Sequence, residues 1–280
     1  MKFISGTYFK RQCRYQIGDY SDARNYHLSY YCDPDIDNDL IFVKTELLSQ
    51  FLQLKKLAPE KFPESYSLVL HNSDINFDIN NIKGVFDHFT GVDKVYTQNL
   101  LVDYPNSFPL PIGIANPKWS HGNTDRFEKV INQEIPKTNM VYINFNVATN
   151  PKERNYCLQH VGSNQRHYPN YMNIDEHNSF VESTQEQYLK DIKASYFVVS
   201  PDGNGKDCHK TWESIYMGSI PIVTDSYFAR RFKELGVPIY IIDDWNQFQH
   251  LHLTPKLYNV VWNNFDINNL KIGLFINECT

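Results

Sequence analysis

The 280-residue chain has no apolar run long enough to span a membrane, no C-x-x-C pair, no N-x-Ser/Thr sequon and no excess of positive charge. Without such a run, no bilayer-crossing helix is expected. At the amino terminus, Met1-Lys2-Phe3-Ile4-Ser5-Gly6 meets Lys10 and Arg11 too early to form a secretory apolar core, so no leader is expected either. Cys13, Cys32, Cys157, Cys208 and Cys279 are odd in number and scattered, which suits free thiols in a reducing compartment. With the missing sequons, this points to the cytoplasm. A formal charge of −5 supplies no general basic field, so nucleic acid held through its phosphates is not expected, and any anion site must be local.

What is present is enough apolar sequence, 41% of residues, to bury a substantial core in one large domain or two compact ones. Short β-rich runs alternate with amphipathic segments at βα spacing, so the fold class is α/β, with parallel sheets covered by helices. In the first half, strands are expected at 40–43, 66–70 and 94–97 and helices at 45–57 and 82–89. His71-Asn72-Ser73-Asp74 breaks the chain after a strand, at the end where open α/β sheets place ligands. A helix at 124–135 then meets Pro136-Lys137-Thr138, where we place a boundary between domains 1–136 and 137–280. The last helix of the second domain is allowed to pack back on the first.

The alternation restarts with a strand at 141–145. Asn150-Pro151-Lys152-Glu153 then supplies an N-cap residue, proline at N1 and glutamate at N3, putting Arg154 in a first helical turn. Residues 161–180 lack periodicity and read as a long loop, and helix resumes at 184–193.

The densest signal follows the apolar strand at 196–199. Ser200-Pro201-Asp202-Gly203-Asn204-Gly205-Lys206 forms a glycine turn ahead of a helix that Asp207 is expected to cap. Backbone N–H groups and the positive end of a helix dipole attract phosphate there, and Lys206 adds a full charge. His209 is expected at N2, within reach of phosphate. Cys208, Trp212 and Ile215 form the packing stripe, whereas Lys210, Glu213 and Met217 share another face. Lysine one turn before glutamate offers a cation for phosphate oxygens and an acceptor for a ribose hydroxyl pair. The same two residues could equally form an ordinary surface pair. Gly218 ends this helix, and Ile220-Pro221-Ile222-Val223 returns to the sheet.

From Phe197 through Gly203, Gly205, His209-Lys210-Thr211-Trp212-Glu213 and Gly218 to Val223, the sequence resembles exostosin-like inverting glycosyltransferases. The resemblance extends to Asn144-Phe145-Asn146, Thr149-Asn150-Pro151-Lys152-Glu153-Arg154, Leu70-His71-Asn72-Ser73-Asp74, Ile112-Gly113-Ile114-Ala115-Asn116 and Trp119-Ser120-His121-Gly122. Within that family the chain looks most like the β-xylosyltransferases of large DNA viruses, which would place it in a host cytoplasm. The resemblance implies a GT-B-like fold of two Rossmann-type α/β/α halves with an inter-domain cleft, the first half taking the acceptor and the second the donor. It further implies inversion at the sugar carbon, UDP-xylose as donor, a fucose-bearing glycan as acceptor and no obligatory metal or other cofactor.

Two positions depart from the pattern, because relatives carry arginine where this chain has Asp202 and Lys210. An acid cannot hold phosphate, and lysine lacks the planar fork of arginine. The main diphosphate role therefore moves to Arg154, assisted by Lys206 and Lys210. Thr149, Asn150, Ser200, Pro201, Gly203, Asn204, Gly205, His209 and Glu213 complete the expected donor site. Inverting transfer needs a base on the acceptor side, for which Asp74 is the candidate, unless it serves only as an Asx-type turn residue. His71, Asn72 and Ser73 accompany it as weaker acceptor-side candidates, although a strand-end histidine is often simply hydrogen-bonded.

Other signals carry less. The Asp33–Asp39 segment imitates a calcium loop but has Asn38 at position six and Lys44 at position twelve. That segment, or Asp243-Asp244, would be the acidic motif of a metal-dependent glycosyltransferase of the other architecture, which stands as one alternative. His250 and His252 lack further ligands and read as surface residues. A non-catalytic nucleotide-sugar binding module is the remaining alternative, suggested by Asp202.

Overall fold

A computed structural model describes residues 2–18, 29–162, 182–263 and 265–276. The chain divides into two compact units, Gly113–Leu270 and Lys2–Ile112, the latter joined by the described part of Lys271–Thr280.

In the unit beginning at Lys2, helix α1 (Gly6–Lys10) precedes strands β1 (Tyr15–Ile17), β2 (Tyr30–Cys32) and β3 (Leu40–Lys44). Helix α2 (Leu48–Leu57), strand β4 (Tyr66–His71), helix α3 (Ile79–His88) and strands β5 (Val92–Gln98) and β6 (Ser107–Leu110) follow. They form one sheet in the order β2-β1-β3-β4-β5-β6, parallel from β1 onward, with only β2 antiparallel. All six residues of β4 are buried, as expected of a central strand covered on both faces.

The expected helix at 45–57 begins as a single 3-10 turn over Thr45–Leu47 and becomes α-helical at Leu48. Helix α3 starts three residues ahead of its expected position, because Asp78 accepts from Asn80 and Asn81 N–H and completes a capping box with Asn81.

In the unit from Gly113, helix α4 (Thr124–Ile131), strand β7 (Asn139–Tyr142), and helices α5 (Pro151–Val161) and α6 (Glu182–Lys193) lead to strand β8 (Ser195–Val199). Helix α7 (His209–Tyr216), strand β9 (Ile220–Thr224), helix α8 (Tyr227–Glu234), strand β10 (Tyr240–Ile242) and helix α9 (Pro255–Trp262) complete it. Its strands are all parallel, in the order β10-β9-β8-β7. Helix α10 (Ile272–Phe275) belongs with the first unit, where it packs near β6. Both units are thus mixed α/β structures with parallel sheets, compatible with a Rossmann-like class.

Helix α4 stops at Ile131 instead of continuing to 135, and Lys193 Nζ caps it by donating to the carbonyls of Val130, Ile131 and Gln133. Strand β7 ends at Tyr142, so the expected strand at 141–145 is offset. Ile143 and Phe145 stay buried in the core beside Phe197, Val199 and Ile222 after pairing has ceased. The expected loop at 161–180 lies, from 163 onward, outside the described residues, while α5 reaches Val161.

Candidate functional site

The unit from Gly113 brings most of the donor-side candidates to the carboxyl ends of β7 and β8, where parallel sheets place their ligand loops. Asn150 caps α5 through its side chain, Pro151 occupies N1, and Arg154 sits in the first turn, 8% exposed. Arg154 is held by two carbonyls: Nε donates to Asp202 O over 2.9 Å and Nη1 to Asn146 O over 2.7 Å. Asn150 Nδ2 donates to Gly203 O over 2.9 Å, so the start of α5 is tied to the glycine turn at two places.

This geometry narrows the sequence reading of the turn at one residue. Gly203 N–H is committed to Gly205 O, and the carbonyls of Asp202 and Gly203 face Arg154 and Asn150. At Asp202 and Gly203 the turn therefore holds an arginine and its neighbouring cap residue through carbonyls. Glycine at 203 fits because an added Cβ would stand 3.2 Å from Cys208 Sγ and 3.4 Å from Arg154 Nη2.

A correction concerns the start of α7. The N-cap residue is Cys208, which makes no side-chain cap, and His209 is the first helical residue instead of N2. Asp207 is occupied elsewhere: both of its oxygens accept from Trp212 Nε1 at 3.0 Å, deep in the unit. His209 Nδ1 lies 2.7 Å from Gly113 O, which can only accept, so Nδ1 carries a proton and donates to it.

Lys210 and Glu213 do not pair directly. Lys210 Nζ donates to Tyr188 Oη over 2.9 Å and lies 4.5 Å from the centre of that ring, while Tyr188 Oη donates to Glu213 Oε2 over 2.6 Å. Burial pushes the Lys210 ammonium down to about 8, with Glu213 opposing the shift and Arg154 adding to it. Burial, with Glu213 beside it, raises the Tyr188 hydroxyl well above the ordinary phenol value, which keeps it protonated as the donor to Glu213.

Arg154, Tyr188, Lys210 and Glu213 line one cavity of about 180 Å³ together with His121, Asn144, Phe145, Asn146 and Gln185. His121 is held below the ordinary imidazole value mainly by burial, against the pull of Glu213, with His209 adding to the depression. The cavity combines two cationic side chains with a carboxylate whose second oxygen is not taken by Tyr188. That is the complement of a ligand carrying both anionic oxygens and hydroxyls.

The remaining donor-side candidates are less central. Lys206 Nζ pairs with Asp202 Oδ2 at 3.2 Å, so this acid is offset by the neighbouring lysine. Burial nevertheless raises the Asp202 carboxyl, with Lys206 acting against that rise. Ser200 Oγ lies 3.0 Å from Thr211 Oγ1, Pro201 O accepts from Cys208 Sγ, and Thr149 and Asn204 are exposed.

His71, Asn72, Ser73 and Asp74 all lie in the unit beginning at Lys2, just beyond β4. His71 is 1% exposed, with Nε2 donating to Pro111 O at 2.9 Å and Nδ1 accepting from Asn72 N–H at 2.8 Å, so both ring nitrogens serve the fold. Asn72 takes a left-handed conformation, and Ser73 Oγ accepts from Ile75 N–H. Asp74 is exposed and makes no hydrogen bond or ion pair among the described residues.

Tyr188, Asn144, His121 and Gln185 were not among the expected site residues. Asn144 and His121 fall inside the resembling segments, whereas Tyr188 and Gln185 carry no motif; only their place on the helix before β8 could have flagged them. Of the acidic segments, Asp33 accepts from Asp35 N–H in an Asx-type turn, and Asp244 caps a 3-10 turn through Asn246 N–H while accepting from Tyr156 Oη. Among the described residues, no group of three or more His, Cys, Asp or Glu side chains is placed to hold a metal ion. No described helix is long and apolar enough to cross a membrane.

No curated protein matches the chain. The family model of the RXYLT1 C-terminal domain matches residues 132–258, which include Arg154, Tyr188, Lys210 and Glu213, and this likeness supports a xylosyltransferase-like glycosyltransferase.

Proposed function

We propose that the protein is an inverting, nucleotide-sugar-dependent glycosyltransferase, with xylose from UDP-xylose as the transferred sugar and a hydroxyl of a fucose-bearing glycan as acceptor. The observation that carries the reading is the single cavity in which Arg154 and Lys210 stand beside Glu213, bridged by Tyr188. Arg154 and Lys210 hold the diphosphate, and Glu213 accepts from the ribose hydroxyls. As the bond from the anomeric carbon to the leaving phosphate oxygen breaks, its electron pair leaves with UDP, and the two cations stabilise the growing charge.

The acceptor oxygen attacks the anomeric carbon from the opposite face and gives its proton to a base, which this reading assigns to Asp74. Two α/β units, each with a parallel sheet, support a GT-B-like arrangement, with the unit beginning at Lys2 as the proposed acceptor half and the unit from Gly113 as the proposed donor half. No obligatory metal and a cytoplasmic setting belong to the same proposal.

The test is transfer of labelled sugar from UDP-xylose to a fucosylated glycan, with UDP binding followed by thermal shift. Wild-type protein is expected to bind UDP and to transfer in the presence of EDTA, whereas Asp74→Asn keeps binding and loses transfer. Full activity of Asp74→Asn removes it as the base. Binding without transfer by the wild type would instead make the chain a nucleotide-sugar binding module.

A further inference from the structure

Asn144 stands just beyond β7, 2% exposed, and lines the cavity shared by Arg154, Lys210 and Glu213. Its Nδ2 donates to Tyr142 Oη over 2.6 Å, which fixes one end of the amide. Its Oδ1 is enclosed and has no hydrogen-bond partner among the described residues. An unpaired amide oxygen is costly in a protein interior, and an apolar side chain of similar size would avoid the cost, so such an oxygen needs a reason to be retained.

The surroundings indicate what would pair with it. Arg154 reaches the carbonyl of Asn146, two residues along the same segment, and Asn144 and Arg154 line the same cavity. Glu213 supplies a second acceptor, already oriented by Tyr188. A nucleotide sugar has hydroxyl groups on both sides of its diphosphate, on the ribose and on the transferred sugar. With the ribose assigned to Glu213, the remaining hydroxyls belong to the transferred sugar. A neutral amide suits that position, because a carboxylate there would repel the diphosphate.

We propose that Asn144 is a specificity-determining residue whose Oδ1 accepts a hydrogen bond from a ring hydroxyl of the transferred sugar. The inference rests on the glycosyltransferase reading, and its test separates the two. Titration calorimetry compares UDP with UDP-xylose on the wild type and on Asn144→Ala, with Asn144→Leu as a second variant that fills the vacated volume.

The expected result is UDP affinity unchanged to within about twofold and UDP-xylose affinity lowered about tenfold, the scale of one hydrogen bond whose loss leaves its partner unmet. Should neither variant fold, deoxygenated UDP-xylose analogues on the wild type give the same reading: removal of one ring hydroxyl lowers affinity about tenfold, and equal affinity for every analogue overturns the proposal. Equal weakening of UDP and UDP-xylose in a folded variant, or no weakening of either, also overturns it while leaving the glycosyltransferase reading intact. A wild type that binds neither ligand sinks both.

Discussion

The hydroxyl of Tyr188 donates to Glu213 Oε2 across 2.6 Å and at the same time accepts from Lys210 Nζ at 2.9 Å, so one phenol orients both ends of the lysine–glutamate motif. A lysine and a glutamate three residues apart on an exposed helix would gain only a few tenths of a kcal/mol from pairing. Here Glu213 is buried and its orientation is fixed by a neutral donor, leaving the lysine charge available to an anion.

Tyr188→Phe keeps the packed ring but takes from buried Glu213 and from Lys210 the hydroxyl they share, so it is expected to fold with a lowered melting temperature. It should also bind UDP about tenfold more weakly, because Lys210 and Glu213, no longer held apart by the hydroxyl, are free to pair with each other instead of with the ligand. Calorimetric titration of UDP checks this, and unchanged affinity would show that the bridge has no part in ligand binding.

Lys210 gives the site a pH dependence. Its folded value is lowered to about 8, first by burial and then by Arg154, while Glu213 opposes the shift. Below about 8 the ammonium is charged and attracts diphosphate, and above it the charge is lost, so UDP affinity should fall as pH rises through that region. A bound diphosphate favours the charged form, so binding near pH 8 should take up protons. Titrations between about pH 6.5 and 9.5 read the decline. Lys210→Arg, which stays charged throughout, should flatten it.

Much of the scaffold around this site was legible in the sequence. Asn150, Pro151 and Glu153 announce a helix start by local chemistry, and the structure puts Arg154 where that start requires. The strand before Ser200 and the left-handed Gly218 after α7 are equally local signals. Tyr188 was not legible, because its partners Lys210 and Glu213 lie across a strand and a loop, and helical periodicity marks it only as a core-facing residue. The glycine turn shows a different limit. Composition identifies a place where backbone approaches closely, but not whether N–H or carbonyl groups are presented, and here the carbonyls of Asp202 and Gly203 bind side chains from α5.

Asp207 illustrates a residue whose type suited a helix cap but whose role is tertiary. Its 3% exposed carboxylate receives the indole N–H of the fully buried Trp212. Asp207→Ala leaves that donor unmet and is expected to cost about 2–3 kcal/mol, read as a lower urea midpoint with unchanged slope. Asp207→Asn keeps an acceptor and should recover much of the loss. Equal destabilisation by both variants would mean that the carboxylate charge, not acceptance from Trp212, matters there.

The pairing of Lys206 with Asp202 sets the last prediction. At 3.2 Å the two side chains neutralise one another, although each retains some exposure, so the link itself contributes little to stability. Its consequence lies in what Lys206 is prevented from doing. If Lys206 assists in holding the diphosphate, it must leave Asp202, and the free protein resists that step. Asp202→Asn removes the competing charge while keeping the side-chain shape and an acceptor for Thr224 Oγ1. UDP affinity should then rise about two- to fivefold, and the gain should shrink in high salt, which screens the freed lysine. A Lys206→Met change made on the Asp202→Asn background should abolish the gain if Lys206 is its source. If the gain persists in that double variant, removal of the acid's repulsion of phosphate accounts for it, and Lys206 is a structural partner of Asp202 without a role in the donor site.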